Sequence, residues 1–153
     1  MITVSEAMQD EDWLSCVKDL LDLQEIQQMK MYKHHRNITC FEHCVKVSYA
    51  CYSYCLRHKK NYKSAARIGL LHDLFLYQRE QLPRRLQRFT HLFTHGKCAV
   101  RNASKLVYLT KVEQKAIARH MFPLTLIPAM SQVGLLLSYY DKIYGFRELF
   151  LRE

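Results

Sequence analysis

The sequence predicts an all-α protein, a single-domain bundle of about six helices, and three observations carry that expectation. The 153 residues include four Gly and three Pro, too few turn formers for a sandwich or barrel of many short strands. Thr39 with Glu42, and Thr110 with Glu113, form capping boxes that each open a run with helical periodicity. The balance of 49% hydrophobic and 24% charged residues suits one soluble core, and residues 1–153 leave no room for a second full domain. No apolar run approaches the roughly 18 residues that span a bilayer. The N-terminus lacks the basic-then-apolar order of a secretory signal, so a cytoplasmic protein with no membrane partner is expected.

The first helix is expected from about Ser5 to Met29, with Trp13, Leu14, Val17, Leu20, Leu21 and Ile26 inward and an acidic outer side. A basic stretch from Lys30 to Arg36 then leads to Thr39, whose capping box starts a helix reaching about Arg57. The basic turn from Lys59 to Lys63 precedes a third helix over about 64–76, apolar enough at Ala65, Ala66, Ile68, Leu70 and Leu71 to be buried. Residues 78–94 are basic and interrupted by Pro83, which reads as a surface loop with one short helix around 84–88. A helix then runs from about Gly96 to Leu106, and Thr110 opens another that reaches Met121 before Pro123. The last covers about 131–149, with Val133, Leu136, Leu137, Tyr140 and Tyr144 inward.

The net charge of +9 is unevenly spread: residues 1–29 are acidic, whereas residues 30–105 carry sixteen basic side chains against three acidic ones. A basic middle favours an anionic partner, whether a phosphorylated small molecule, a nucleotide or a nucleic acid, with a solvated basic face as the plain alternative. Cys40, Cys44, Cys51 and Cys55 fall on one helical stripe and not in CxxC pairs, so they read as small buried core residues rather than thiolate metal ligands. The Tyr49, Tyr52, Tyr54, Tyr139 and Tyr140 rings likewise read as packing more than as a surface for stacking bases.

The informative feature is a series of His and Asp residues with one position or pair per element: His43, His72 with Asp73, His95, His120 and Asp141. The intervals of 29, 22, 25 and 21 residues each equal about one helix plus a connection. Successive helices can therefore return a ligand to the same level of a bundle. Four imidazoles and two carboxylates suit one or two divalent ions of Fe, Mn or Zn.

These residues resemble the HD superfamily of metal-dependent phosphohydrolases, whose ordered signature is His, then His-Asp, then Asp on an all-helical core. His43, the pair His72-Asp73 within Gly69-Leu70-Leu71-His72-Asp73-Leu74, and Asp141 match it in order and spacing over a core of about residues 34–145. His95 and His120 look like the two further histidines of members with two metals. The resemblance implies an HD-type fold and a dinuclear site bridged by Asp73. It further implies hydrolysis of a phosphate monoester or diester, nucleotides included, by a metal-activated hydroxide, with Asp73 as a catalytic residue. Leu76 and Tyr77 stand where nucleotide-type and alarmone-type members often carry an acidic pair, which argues against both subclasses. The chain also lacks the Gly-Tyr-Pro segment of cyclic-dinucleotide members, and the subclass stays unassigned.

Other polar residues are candidates by position. His91, four before His95, reads as a proton donor if both share a helix face. His34 and His35 read as a solvated basic turn or, with Arg36, as groups at the mouth of the site. Arg36, Lys97, Arg101 and Lys142 are candidate phosphate contacts, with surface charge as the plain reading of each. Two other functions compete with the hydrolase: a nucleic-acid or protein binding module with a structural metal site, and a diiron oxygenase of the same helical family.

Overall fold

A computed structural model describes residues 2–35, 37–77 and 85–150, with the backbone alone at 35 and 85–89. Arg36 and residues 78–84 of the loop expected over 78–94 lie outside the described residues, and the rest of that stretch is helical. In chain order the elements are α1 (Val4–Ala7), α2 (Glu11–Leu21), α3 (Gln24–Gln28), a 3-10 turn (Met29–Met31), β1 (Lys33–His35), β2 (Ile38–Thr39), α4 (Cys40–Arg57), α5 (Tyr62–Leu71), α6 (Arg85–Leu106), α7 (Lys111–Ala118) and α8 (Gln132–Phe150). The chain is mostly helical. None of the described helices is long and apolar enough to cross a membrane.

The single N-terminal helix expected from the periodicity is three helices, with a side-chain cap at Asp10 starting the second and none at Leu23 where the third begins. Thr3 and Glu6 close a capping box on α1, and the Asp10 carboxylate accepts from the Trp13 backbone N–H at 2.9 Å to start α2. The resulting bend lets Trp13 enter the core fully buried, where its Nε1–H donates to Ser48 Oγ at 3.1 Å. Ser48 Oγ in turn donates to Ala66 O at 2.6 Å, which ties α2, α4 and α5 together. The basic stretch before α4 is partly extended: β1 pairs antiparallel with β2, in a hairpin that opens directly into the Thr39 cap.

Both expected capping boxes are present, at Thr39 with Glu42 and at Thr110 with Glu113. α4 is the central element and packs against α5 and α8, while α7 packs against α6 and α8. α5 ends earlier than its apolar run suggests, with Leu76 in the left-handed region at φ 57°. Carbonyls past its end are met by other elements, since Asn102 Nδ2–H donates to Leu74 O at 2.9 Å and the Cys40 thiol donates to Asp73 O at 3.3 Å. The four cysteines of the α4 stripe are free and buried, and burial pushes the Cys44 and Cys51 thiols well up.

The break expected between a short helix near 84–88 and a helix starting at Gly96 is absent, because α6 runs unbroken through both. Gly96 serves helix packing: a Cβ there would lie 2.9 Å from Ile117 O and 3.0 Å from Ala118 O of α7. Gly69 plays the same part between α5 and α4, where a Cβ would sit 2.5 Å from Ser48 Cα. Gly69→Ala is therefore expected to force the helices apart at a cost of about 1–3 kcal/mol. The expected fall in Tm is roughly 2–10 °C, measurable through the fluorescence of Trp13, the only tryptophan; an unchanged Tm would refute this packing assignment.

Candidate metal centre

All six residues of the His and Asp series converge. His43 comes from α4, His72 and Asp73 from the turn that ends α5, His95 from α6, His120 from the turn after α7, and Asp141 from α8. Each is at least nine-tenths buried, so their charges and lone pairs must be satisfied by one another or by a bound cation.

The local backbone sets how each imidazole points. His72 Nδ1–H donates to Gly69 O at 2.8 Å, and His120 Nδ1–H donates to Ile117 O at 2.7 Å, each three residues back on the last turn of its helix. His95 Nδ1–H donates to His91 O at 2.8 Å, one turn back on α6. A carbonyl can only accept, so these three Nδ1 atoms carry protons and the Nε2 atoms face inward. His43 is held the same way by a carboxylate, with Nδ1–H donating to Glu148 Oε2 at 2.8 Å. This is the arrangement that fixes the tautomer of metal-binding histidines and raises their basicity.

The four Nε2 atoms surround the two aspartates. Asp141 Oδ1 is 3.2 Å from His43 Nε2 and 3.5 Å from His72 Nε2. Asp73 divides its oxygens: Oδ1 lies 3.3 Å from His95 Nε2 and 3.5 Å from His120 Nε2, whereas Oδ2 faces His72 Nε2 at 3.7 Å. One carboxylate thus faces two separate groups of donors, as a bridge between two ions would. Among the described residues, buried His72 Nε2 and Asp73 Oδ1 have no hydrogen-bond partner. His95 Nε2 and His120 Nε2 lie 2.9 Å apart with both Nδ1 atoms already donating, so two bare lone pairs would face each other unless a proton or a cation lies between them. Donor atoms of His43, His72 and Asp141, and of His72, Asp73 and His120, lie within 4.8 Å of one another. This donor set fits divalent metal, with imidazole and carboxylate suited to Fe, Mn or Zn.

In the protein by itself the cluster partitions its protons unequally. Burial disfavours charge on His43, but hydrogen bonds to Asp141 and Glu148 outweigh it and hold the pKa well above the usual value. Burial likewise opposes ionisation of Asp73 and Asp141, yet the surrounding imidazoles keep both well below the carboxylate range. His95 is raised by Asp73 against its burial, while burial and then the neighbouring His95 charge hold His120 down to about 3. One proton therefore serves the His95–His120 pair.

Glu148 is the residue that sequence reasoning missed. Leu137, Asp141, Tyr144 and Glu148 form one buried stripe of α8, spaced by four, three and four residues, so a carboxylate seven after a candidate ligand on an apolar face was the available signal. His34 is the second addition. The hairpin places its ring flat on His43, with centroids 3.8 Å apart, and puts its Nε2 3.1 Å from Asp73 Oδ2. His34 is thus part of the cluster and not a solvated turn residue, and it shares a possible ligand group with His43 and Asp73.

The structure spreads the other candidates more widely. His91 is buried one turn before His95 with its ring stacked on that of His95, and its Nδ1 lies 2.7 Å from the Tyr77 hydroxyl. Lys142 lines the same cavity as Asp141, but its ammonium donates to His120 O at 2.7 Å and to Ser138 O at 3.2 Å, so it pins the His120 turn. Burial lowers its pKa. Lys97 lines a different groove and Arg101 is exposed on α6 beside Cys98; neither lines the cavity at the cluster. A helix presents residues 95, 97 and 101 to different sides, which is why sharing α6 with His95 does not bring them to it.

Glu148→Gln removes the charge that orients His43 and supports its basicity. Affinity for Mn or Zn at the group of His43, His72 and Asp141 is expected to fall about 10–100-fold, as measured by competition with a chromophoric chelator. Unchanged affinity would mean that His43 does not bind metal through Nε2. Comparison of the chain with protein-family models, with curated proteins and with solved structures finds no match in any of the three, so the functional reading rests on these side chains.

Proposed function

We propose that this chain is a metal-dependent phosphohydrolase of the HD type that cleaves a phosphate ester. The observation that supports it most is the convergence of four Nε2 atoms on two buried carboxylates beside a cavity. That cavity, about 360 Å3 in volume, is lined by Asp73, His95 and Asp141 as well as by His34 and His91. A structural metal site is closed, whereas a catalytic one keeps a position open to substrate. Divalent ions supply Lewis acidity to a phosphoryl oxygen and acidify a water toward neutral pH. His43, His72 and Asp141 would hold one ion, His95 and His120 the other, with Asp73 between them. Glu148 and the carbonyls of Gly69, His91 and Ile117 keep the imidazoles oriented, so little reorganisation is needed at the moment of reaction.

We assign protonation of the leaving group to His91. As an imidazolium, with Nδ1–H donating to the Tyr77 hydroxyl, this ring of the cavity lining would give its Nε2 proton to the leaving oxygen and return to neutral imidazole. A second reading, a nucleic-acid binding module with a structural metal, draws on the separate groove that carries Lys97, Lys111, Lys115 and Arg119.

The deciding experiment is metal analysis followed by a phosphate-release screen over monoesters, diesters and nucleotides with Mn or Fe restored. Metal-dependent release by the native chain, abolished in Asp73→Ala, is the expected outcome. Metal uptake with salt-dependent oligonucleotide binding and no release of phosphate would favour the second reading instead. His91→Gln should lower kcat about 10²–10⁴-fold for alkyl esters and far less for p-nitrophenyl phosphate, whose leaving oxygen needs no proton. An equal loss on both substrates would remove His91 from that role.

A further inference from the structure

The walls of the cavity differ sharply from its floor. Above the His and Asp cluster, the described lining is mostly Phe75, Leu92, Met121, Phe146, Leu149 and Phe150, with Gly145, His91 and the cationic Lys33 and Lys142 beside them. No Ser, Thr, Asn or Gln is among these described lining residues. The Phe146 and Phe150 rings lie 4.5 Å apart and tilted by 37° on the last turns of α8, 63% and 60% exposed. Apolar surface of this kind next to a charged floor marks a binding site more often than a bare protein surface.

We infer that the substrate is a phosphate monoester whose single organic group is apolar, a short alkyl or aryl chain, rather than a nucleotide. This rests on the phosphohydrolase reading of the same site and narrows its substrate class. The phosphate belongs at the floor, where bound divalent ions would bring positive charge, with Lys33 and Lys142 on the walls beside it. A ribose and a base would carry several hydroxyl, carbonyl and amine groups into walls whose described side chains are apolar apart from His91 and the two lysines, and most of those groups would lose their hydration without replacement. An alkyl or aryl group loses nothing there and gains by burial. A diester would need a second compartment of the same character. The volume of about 360 Å3 is at the small end for ligand sites, which suits one short chain and not a diacyl lipid.

The test is calorimetric binding of non-hydrolysable n-alkylphosphonates, methyl to hexyl, to the Mn-loaded chain. Affinity should rise about three- to fourfold for each added methylene and level off once the cavity is filled. Hexylphosphonate should bind more tightly than AMP, and vesicles containing phosphatidic acid should not displace it. Phe146→Ser, at an exposed position, should reduce the gain per methylene while metal content stays the same. Equal affinity for methyl- and hexylphosphonate, or tighter binding of AMP, would overturn the apolar-ester assignment and leave the hydrolase reading standing. Displacement by the vesicles would overturn the soluble short-chain substrate in favour of a lipid. Failure of methylphosphonate and inorganic phosphate alike to bind a metal-loaded chain would overturn the hydrolase reading itself.

Discussion

The Asp73 carboxylate is buried, ionised and surrounded by imidazoles on every side that has been described, and the rest of the structure is arranged to tolerate it. Moving a carboxylate out of water costs several kcal/mol unless opposite charge and hydrogen bonds replace its hydration. Here the replacement comes from His34, His72, His95 and His120, which reach it from the hairpin, from the end of α5, from α6 and from the turn after α7. Those four approaches require the helices to meet at one level. The close contact of α6 with α7 at Gly96 and the early end of α5 at His72 both follow from that requirement.

Orientation is obtained from groups the backbone already provides. Helix ends leave carbonyls without intrahelical partners, and His72 and His120 each use one of them three residues back. A single bond satisfies the end of the helix, assigns the tautomer and aims Nε2 at the aspartates. His43 lies near the start of the long helix α4, with no free helix end beside it, and relies on Glu148 from α8. The packing of α4 against α8 is therefore part of the site and not only part of the core. Lys142 extends the same economy by holding the His120 carbonyl and contributing charge to the cavity wall.

A floor of buried His and Asp groups beneath apolar walls combines two demands that conflict elsewhere in a small domain. Buried charge favours a polar surrounding, whereas a selective pocket for an apolar group excludes water. α8 separates the two along its length: Asp141 and Glu148 face the cluster, while Phe146 and Phe150 stand at the outer wall. The rigidity of one helix keeps the polar and apolar faces at a constant separation.

The helical class, the two capped helices and the series of six His and Asp residues are readable from the sequence alone, because each depends on signals within a turn or two: Thr39 with Glu42, Thr110 with Glu113, and ligands repeated at intervals of one helix plus a connection. Asp10 signals the start of α2 locally, but the apolar periodicity of Leu14 to Ile26 runs through the second break, at Asp22 and Leu23, where no side chain caps α3. Gly96 reads as a helix start in isolation and is the contact point of α6 on α7, a fact that depends on residues more than twenty positions away. The pairing of His43 with Glu148 spans 105 residues, and the stacking of His34 on His43 joins a hairpin to a helix. Periodicity names the face a side chain occupies, but the partner that turns Nε2 toward Asp73 and the walls that close around the cavity exist only once distant elements have packed, so the ligand series was determined by the sequence and its directionality by the tertiary structure.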